Sequence, residues 1–111
     1  MKNRVMKRVP EIKINIFQLA VLLDEEEMYF YNLVLKNNVY CSRCRGAAEN
    51  GVEVKEMFLT DLNDIRVQGS CQKCGGEVAR IFEFGEKKEF QQKATRFRES
   101  IKPLIAQGLN K

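Results

Sequence analysis

The chain has 111 residues, of which 44% are hydrophobic and 31% charged, with a formal net charge of +4. This length sets a single domain with a modest core, one that gains noticeably from a metal cross-link, and excludes a multidomain protein. Residues 1–14 carry five basic side chains and one acidic, residues 86–111 carry seven and three, and the middle is acidic overall, so attraction to phosphate is confined to the two ends.

In chain order, "MKNRVMKRVPEIK" holds Lys2, Arg4, Lys7, Arg8 and Lys13 around Pro10. Residues 1–14 therefore read as a basic, flexible arm. "INIFQLAVLL" is too short to span a bilayer before "DEEE" begins, and no small-residue cleavage site follows the basic start. The expected setting is the cytoplasm, with no membrane contact and with thiols that stay reduced unless something binds them.

Residues 15–37 read as two helices. Ile16, Leu19, Ala20 and Leu23 recur at three and four residues behind Asn15, a plausible N-cap. Asp24 has Glu27 three residues later, a capping-box pattern, and the acidic first turn suits a second helix that ends at Lys36. The competing reading is a strand, since "MYFYNLVL" is rich in sheet-favouring residues. Met28, Tyr31 and Leu35, with Phe30 and Val34 beside them, form adjoining helical stripes that read as core.

Residues 38–85 change character. "GVEVKEMFL", "DIRVQG" and "EVARIFEF" read as three antiparallel strands separated by "TDLND" and by glycine-bearing cysteine turns. From residue 86 to 107 the period is helical again: Phe90, Ala94, Phe97, Ile101 and Leu104 form one apolar stripe. Pro103 is expected to kink or end this helix. The stripe reads as core; its spacing also suits a seam with a protein partner or a second copy, so these five residues are the candidate protein interface.

All four cysteines lie in two C-x-x-C pairs, Cys41/Cys44 and Cys71/Cys74, separated by 26 residues. A two-residue gap lets a tight turn aim both sulfurs at one centre, and two such turns supply a tetrahedral thiolate site for one structural zinc. Gly46, Gly75 and Gly76 are placed to allow positive φ where the turns exit. Iron in the same four thiolates is not separated from zinc by spacing. A redox pair wants one C-x-x-C at a helix start, and disulfides want an oxidising compartment. Four cysteines leave the metal no open position for water, and the chain has no histidine, so no catalytic residue and no small-molecule substrate are expected.

The layout Tyr40-Cys41-x2-Cys44-Arg45, then Gly69-x-Cys71-x2-Cys74-Gly75 and Val78-x-Arg80-Ile81, resembles the zinc-ribbon superfamily over roughly residues 39–84. The resemblance implies a small antiparallel three-stranded zinc ribbon whose metal is held by the four cysteines; the N-terminal helices and the C-terminal amphipathic helix read from capping and periodicity flank it, a departure from the minimal ribbon pattern, and the whole is expected to be an α+β fold. Ribbons of this kind are similar to modules of transcription, translation and topoisomerase proteins and to protein-binding adaptors. One function it implies is accessory nucleic-acid binding, with Arg43, Arg45, Lys73, Arg80, Lys93, Arg96 and Lys102 as candidate phosphate contacts. The other is a protein-interaction adaptor or homodimeric subunit of a larger complex.

Overall fold

The computed structural model describes residues 9–106, with side chains described as far as Ile101. The basic stretch of residues 1–8 lies outside the described residues. In order, the elements are β1 (Ile12–Ile14), α1 (Ile16–Leu22), α2 (Glu25–Asn37), β2 (Tyr40–Cys41), β3 (Gly46–Ala47), β4 (Val52–Leu59), β5 (Ile65–Cys71), β6 (Glu77–Phe82), a 3-10 turn at Phe84–Glu86, and α3 (Lys88–Ala106). The result is an α+β fold with one four-stranded antiparallel sheet, in the order β1-β4-β5-β6, and a separate β2–β3 hairpin.

Both N-terminal helices are capped as their sequences suggest. The Asn15 side chain accepts from the Gln18 N–H at 2.8 Å, and the Gln18 side chain accepts from the Asn15 N–H at 2.9 Å. Asp24 and Glu27 make the same reciprocal pair at 2.8 and 2.9 Å. Each box satisfies two backbone donors that the helix leaves unpaired. Glu27 is buried and also holds Lys87 at 2.7 Å and Lys93 at 3.8 Å, which ties the start of α2 to the start of α3. In α1 the buried residue types differ from the expected stripe. Leu19, Leu22 and Leu23 face the core, whereas Ile16 and Ala20 face outward. A seven-residue helix that is apolar nearly all round offers no contrast from which its inner face can be read.

The sheet has a fourth strand that the three-strand expectation lacked. Ile12–Ile14, assigned to the flexible arm, pair with β4 in the register Ile12↔Leu59 and Ile14↔Met57, and Ile14 is buried. Its apolar–polar–apolar alternation is too short to stand out beside Pro10. β4 carries a bulge between Val54 and Glu56. Val52 and Val54 turn toward the core before it, Met57 and Leu59 after it, so the extra residue restores a phase that simple alternation would lose. Gly69 lies opposite Val54, just before the bulge. A Cβ there would run into the Glu53 carbonyl.

Helices and sheet share one core in which Leu19, Leu22, Leu59, Ile65, Phe82 and Phe90 are fully buried. Tyr31 packs on Phe82, with ring centroids 5.0 Å apart, and donates its hydroxyl to the Met57 sulfur at 3.2 Å. Burial pushes its phenol up to about 12. Of the α2 aromatics expected in the core, Tyr31 is there, whereas Phe30 meets Phe82 and Phe84 edge-on and stays half exposed. The C-terminal stripe is interior: Phe90, Ala94 and Phe97 are buried and Ile101 is half-buried. α3 continues past Pro103 to Ala106, the proline removing one N–H from its last turn.

At the end of the sheet opposite the cysteines, a polar cluster fastens the β4–β5 turn to α3. Arg98 donates to the Asn63 side chain at 2.9 Å, to the Thr60 carbonyl at 2.6 Å and to the Pro10 carbonyl at 2.5 Å. Asn63, at φ +64°, donates to Gln91 at 2.9 Å, and Gln91 donates to the Gly85 carbonyl at 2.7 Å. Asp64 accepts from the Gly85 N–H at 3.0 Å, and burial raises its carboxyl above the usual range.

Gly69→Ala is expected to cost about 2 kcal/mol, since the methyl group forces two hydrogen-bonded strands apart. Chemical denaturation checks this; an unchanged midpoint would contradict the close approach of Gly69 to the β4 backbone.

Candidate metal centre

The two C-x-x-C turns have the same backbone construction. Each closes a hairpin: Cys41 pairs with Gly46 across β2–β3, and the Cys71 N–H donates to the Gly76 carbonyl at 2.8 Å across the tip of β5–β6. The fifth residue of each turn donates its N–H to the carbonyl of the first cysteine, Arg45 to Cys41 and Gly75 to Cys71, both at 2.8 Å. That residue is left-handed in both, at φ +60° for Arg45 and +77° for Gly75. The sequence places the first positive φ at Gly46, one residue too late. The turn geometry demands it at the residue after the second cysteine, whichever residue stands there.

The hairpins bring the four sulfurs within 4.8 Å of one another, with Cys41 and Cys74 at 3.5 Å and Cys44 and Cys71 at 3.8 Å. A tetrahedral site with metal–sulfur bonds of about 2.3 Å has sulfur–sulfur edges of about 3.8 Å. The donor set therefore fits a thiophilic tetrahedral ion, and all four cysteines are well beyond the ~2.05 Å of a disulfide. Cys41 and Cys71 are buried, while Cys44 and Cys74 are half-buried at the tip.

The surroundings favour thiolate at part of the cluster. Backbone N–H groups of Cys74 and Lys73 draw the Cys71 thiol down to about 7. Sharing its proton with Cys74 drives Cys44 the other way, to about 12. Four thiolates this close repel strongly, and a dication removes that repulsion while displacing the remaining protons. The Gly76 N–H points at the Cys74 sulfur at 3.3 Å, a backbone contact of the kind that steadies a metal ligand. Arg43 lies against Gly76, where its side chain takes the space a Cβ would fill.

Contacts from the middle of the second turn to the segment that follows the first hairpin hold the two together. The Gln72 N–H donates to the Gly51 carbonyl at 2.9 Å, and Lys73 pairs with Glu49 at 3.1 Å, raising the lysine pKa. No local pattern marks Glu49 or Gly51 in the sequence, because both partners sit more than twenty residues away. These contacts preorganise the site, since the peptide backbone already sets the two turns facing each other.

The expected phosphate contacts are divided. Arg43, Arg45 and Lys73 belong to the cysteine turns, with Lys73 engaged by Glu49. Arg80 donates to the Asn38 carbonyl at 3.0 Å and lies over the Phe82 ring, so it fastens β6 to the end of α2. Lys93 faces Glu27, and Arg96 is exposed on α3. The side chains of Lys102 and Leu104 lie outside the described residues. Of the remaining interface candidates, Phe90, Ala94 and Phe97 are covered by the chain's own core, and Ile101 is half-buried against it. Among the described residues no helix is long and apolar enough to cross a membrane. The chain shows no significant match to any protein-family model, curated protein or solved structure.

Two outcomes follow from the turn geometry and the thiols. Arg45→Gly is expected to gain on the order of 0.5 kcal/mol, the relief of a left-handed side chain less the added freedom of the unfolded glycine, whereas Gly75→Ala loses about 1 kcal/mol; denaturation of the metal-loaded variants measures both. Protons compete with metal for sulfur, so affinity rises with pH. The slope eases by one proton above about 7, where Cys71 no longer has a proton to give up, and the rise continues because Cys44, near 12, still does. A chelator-competition titration across pH reads this slope, and a pH-independent affinity would exclude thiolate ligation.

Proposed function

We propose that the chain is a non-enzymatic zinc-ribbon module in which one structural zinc locks the Cys41/Cys44 and Cys71/Cys74 turns together and the body of the molecule presents a protein-docking surface. The observation that carries the metal part is the cluster of four sulfurs within 4.8 Å. Four thiolates complete a tetrahedron and leave no position for substrate or water, so the ion serves folding rather than catalysis.

Docking to protein is favoured by the balance of exposed side chains. Phe17, Val21, Tyr29 and Tyr40 are each more than 60% exposed, and Phe17 and Val21 lie together on the outer side of α1, where a contiguous apolar patch suits a protein partner. The candidate cations are by contrast partly engaged by Glu49, Glu27 and the Asn38 carbonyl. A nucleic-acid reading keeps one specific support, the exposed Arg43 and Arg45 on the same hairpin as exposed Tyr40, a small stacking and phosphate-binding group.

Metal analysis of the purified chain is expected to give one zinc per molecule, and Cys74→Ser to lose most of it together with the cooperative melting of the ribbon. Unchanged zinc content and melting would sink the structural role. A salt series of binding to mixed single- and double-stranded nucleic acid separates the two ligand classes. Little binding at low salt is expected; tight binding that weakens steeply with salt would overturn the protein-docking reading in favour of Arg43 and Arg45.

A further inference from the structure

Exposure divides the four sulfurs into an outer and an inner pair. The second cysteine of each turn, Cys44 and Cys74, is half-buried at the tip, while the first of each, Cys41 and Cys71, is buried. Two sulfur–sulfur contacts of hydrogen-bond geometry each join an outer sulfur to the inner one of the other hairpin, Cys74 to Cys41 at 3.5 Å and Cys44 to Cys71 at 3.8 Å. Exposed cations flank the outer pair: Cys44 lies between Arg43 and Arg45, and Cys74 follows Lys73. A partly exposed sulfur in basic surroundings is the kind that an oxidant reaches.

We infer that the cysteine cluster is also a peroxide-responsive fastener: oxidation joins Cys74 to Cys41 and Cys44 to Cys71, releasing the metal while the two hairpins stay linked. What is released rests on the metal reading above, whereas which sulfurs join follows from geometry. The Cys74 thiolate attacks one oxygen of hydrogen peroxide; the O–O bond breaks, hydroxide leaves and Cys74 becomes a sulfenic acid. The Cys41 sulfur then attacks the Cys74 sulfur and an S–S bond forms. The hydroxyl departs as water, taking the proton of the Cys41 thiol or, from a thiolate, one from solvent. Cys44 and Cys71 repeat the sequence, one peroxide per disulfide. The thiolate is the metal ligand, so sulfurs tied in disulfides let the ion go.

Pairing across the hairpins differs from pairing within a turn in what it does to the fold. Links within each C-x-x-C would close the turns on themselves and leave the hairpins unjoined. Links between them take over the bridge from the metal. The backbone keeps the partners aligned while the sulfurs react, since Val52 pairs with Cys71 and the Gln72 N–H donates to the Gly51 carbonyl. Neither contact uses a sulfur.

Trypsin reads the pairing directly, because it cuts after Arg43 and after Lys73 and so separates the two cysteines of each turn. The metal-loaded full chain is treated with hydrogen peroxide, remaining thiols are alkylated, and the chain is denatured and digested. Two cross-linked peptide pairs are expected, residues 37–43 with 74–80 and residues 44–45 with 67–73, together with release of the metal to a chromogenic chelator. The oxidised chain should melt roughly 10 °C or more above the reduced, metal-free chain. Reductant with zinc should restore the starting protein. Residues 37–43 linked to 44–45, sulfinic acids in place of disulfides, links between separate chains, or an unchanged melting temperature would overturn the inference. Metal analysis before oxidation keeps the two readings apart: a chain that carries no zinc fails the metal reading, while its peptide map still decides the pairing.

Discussion

The register of β4 on β5 is the constraint from which the metal site follows. Val52 pairs with Cys71, so the strand that leaves the first cysteine hairpin begins beside the first ligand of the second. The 26 residues between the cysteine pairs are therefore the path out along one strand and back along the next. A slip of one residue would turn every side chain of β4 to the opposite face. Two features hold the register: the bulge at Lys55, which keeps both pairs of apolar residues on the core side, and Gly69, which lets the backbones close where the bulge distorts them. A metal held by the four cysteines would join parts that the sheet has already aligned.

What could be read from sequence was what is written locally. The N-cap at Asn15, the capping box of Asp24 and Glu27, the period of α3 and the spacing of the cysteines each involve residues within a turn or two of one another. The four sulfurs come together as their spacing implies. The features that escaped depend on distant partners or on a backbone state that composition does not reveal. β1 is a strand only because β4 lies beside it. The positive φ of the first cysteine turn falls on Arg45, where a reader attending to glycine looks one residue further on. The outer face of α1 was hidden by its own uniformity, since period reports a face only where polar and apolar residues differ.

The same distinction explains the basic residues. Arg98 adds to the positive count of the C-terminal segment, yet it is partly buried, with its guanidinium spread over three acceptors from two other segments. Burial draws its pKa down, and the acceptors compensate the lost water. Arg80 and Lys93 are likewise committed within the fold. Net charge is a statement about sums, and here much of the sum goes to holding the molecule together.

The β4–β5 hairpin is consequently tied at its two ends by unrelated chemistry, the sulfur cluster at Cys71 and a guanidinium cluster at Thr60–Asp64. The ends stand about 20 Å apart along the strands. Such a hairpin is expected to divide into two cooperative units rather than open as a whole. Near the turn, amide exchange follows the integrity of α3 and its aromatic packing, and is indifferent to chelators. Near the cysteines it would follow pH and any metal the four sulfurs hold. Removing such a metal would leave a chain that keeps its base and frays at its tip.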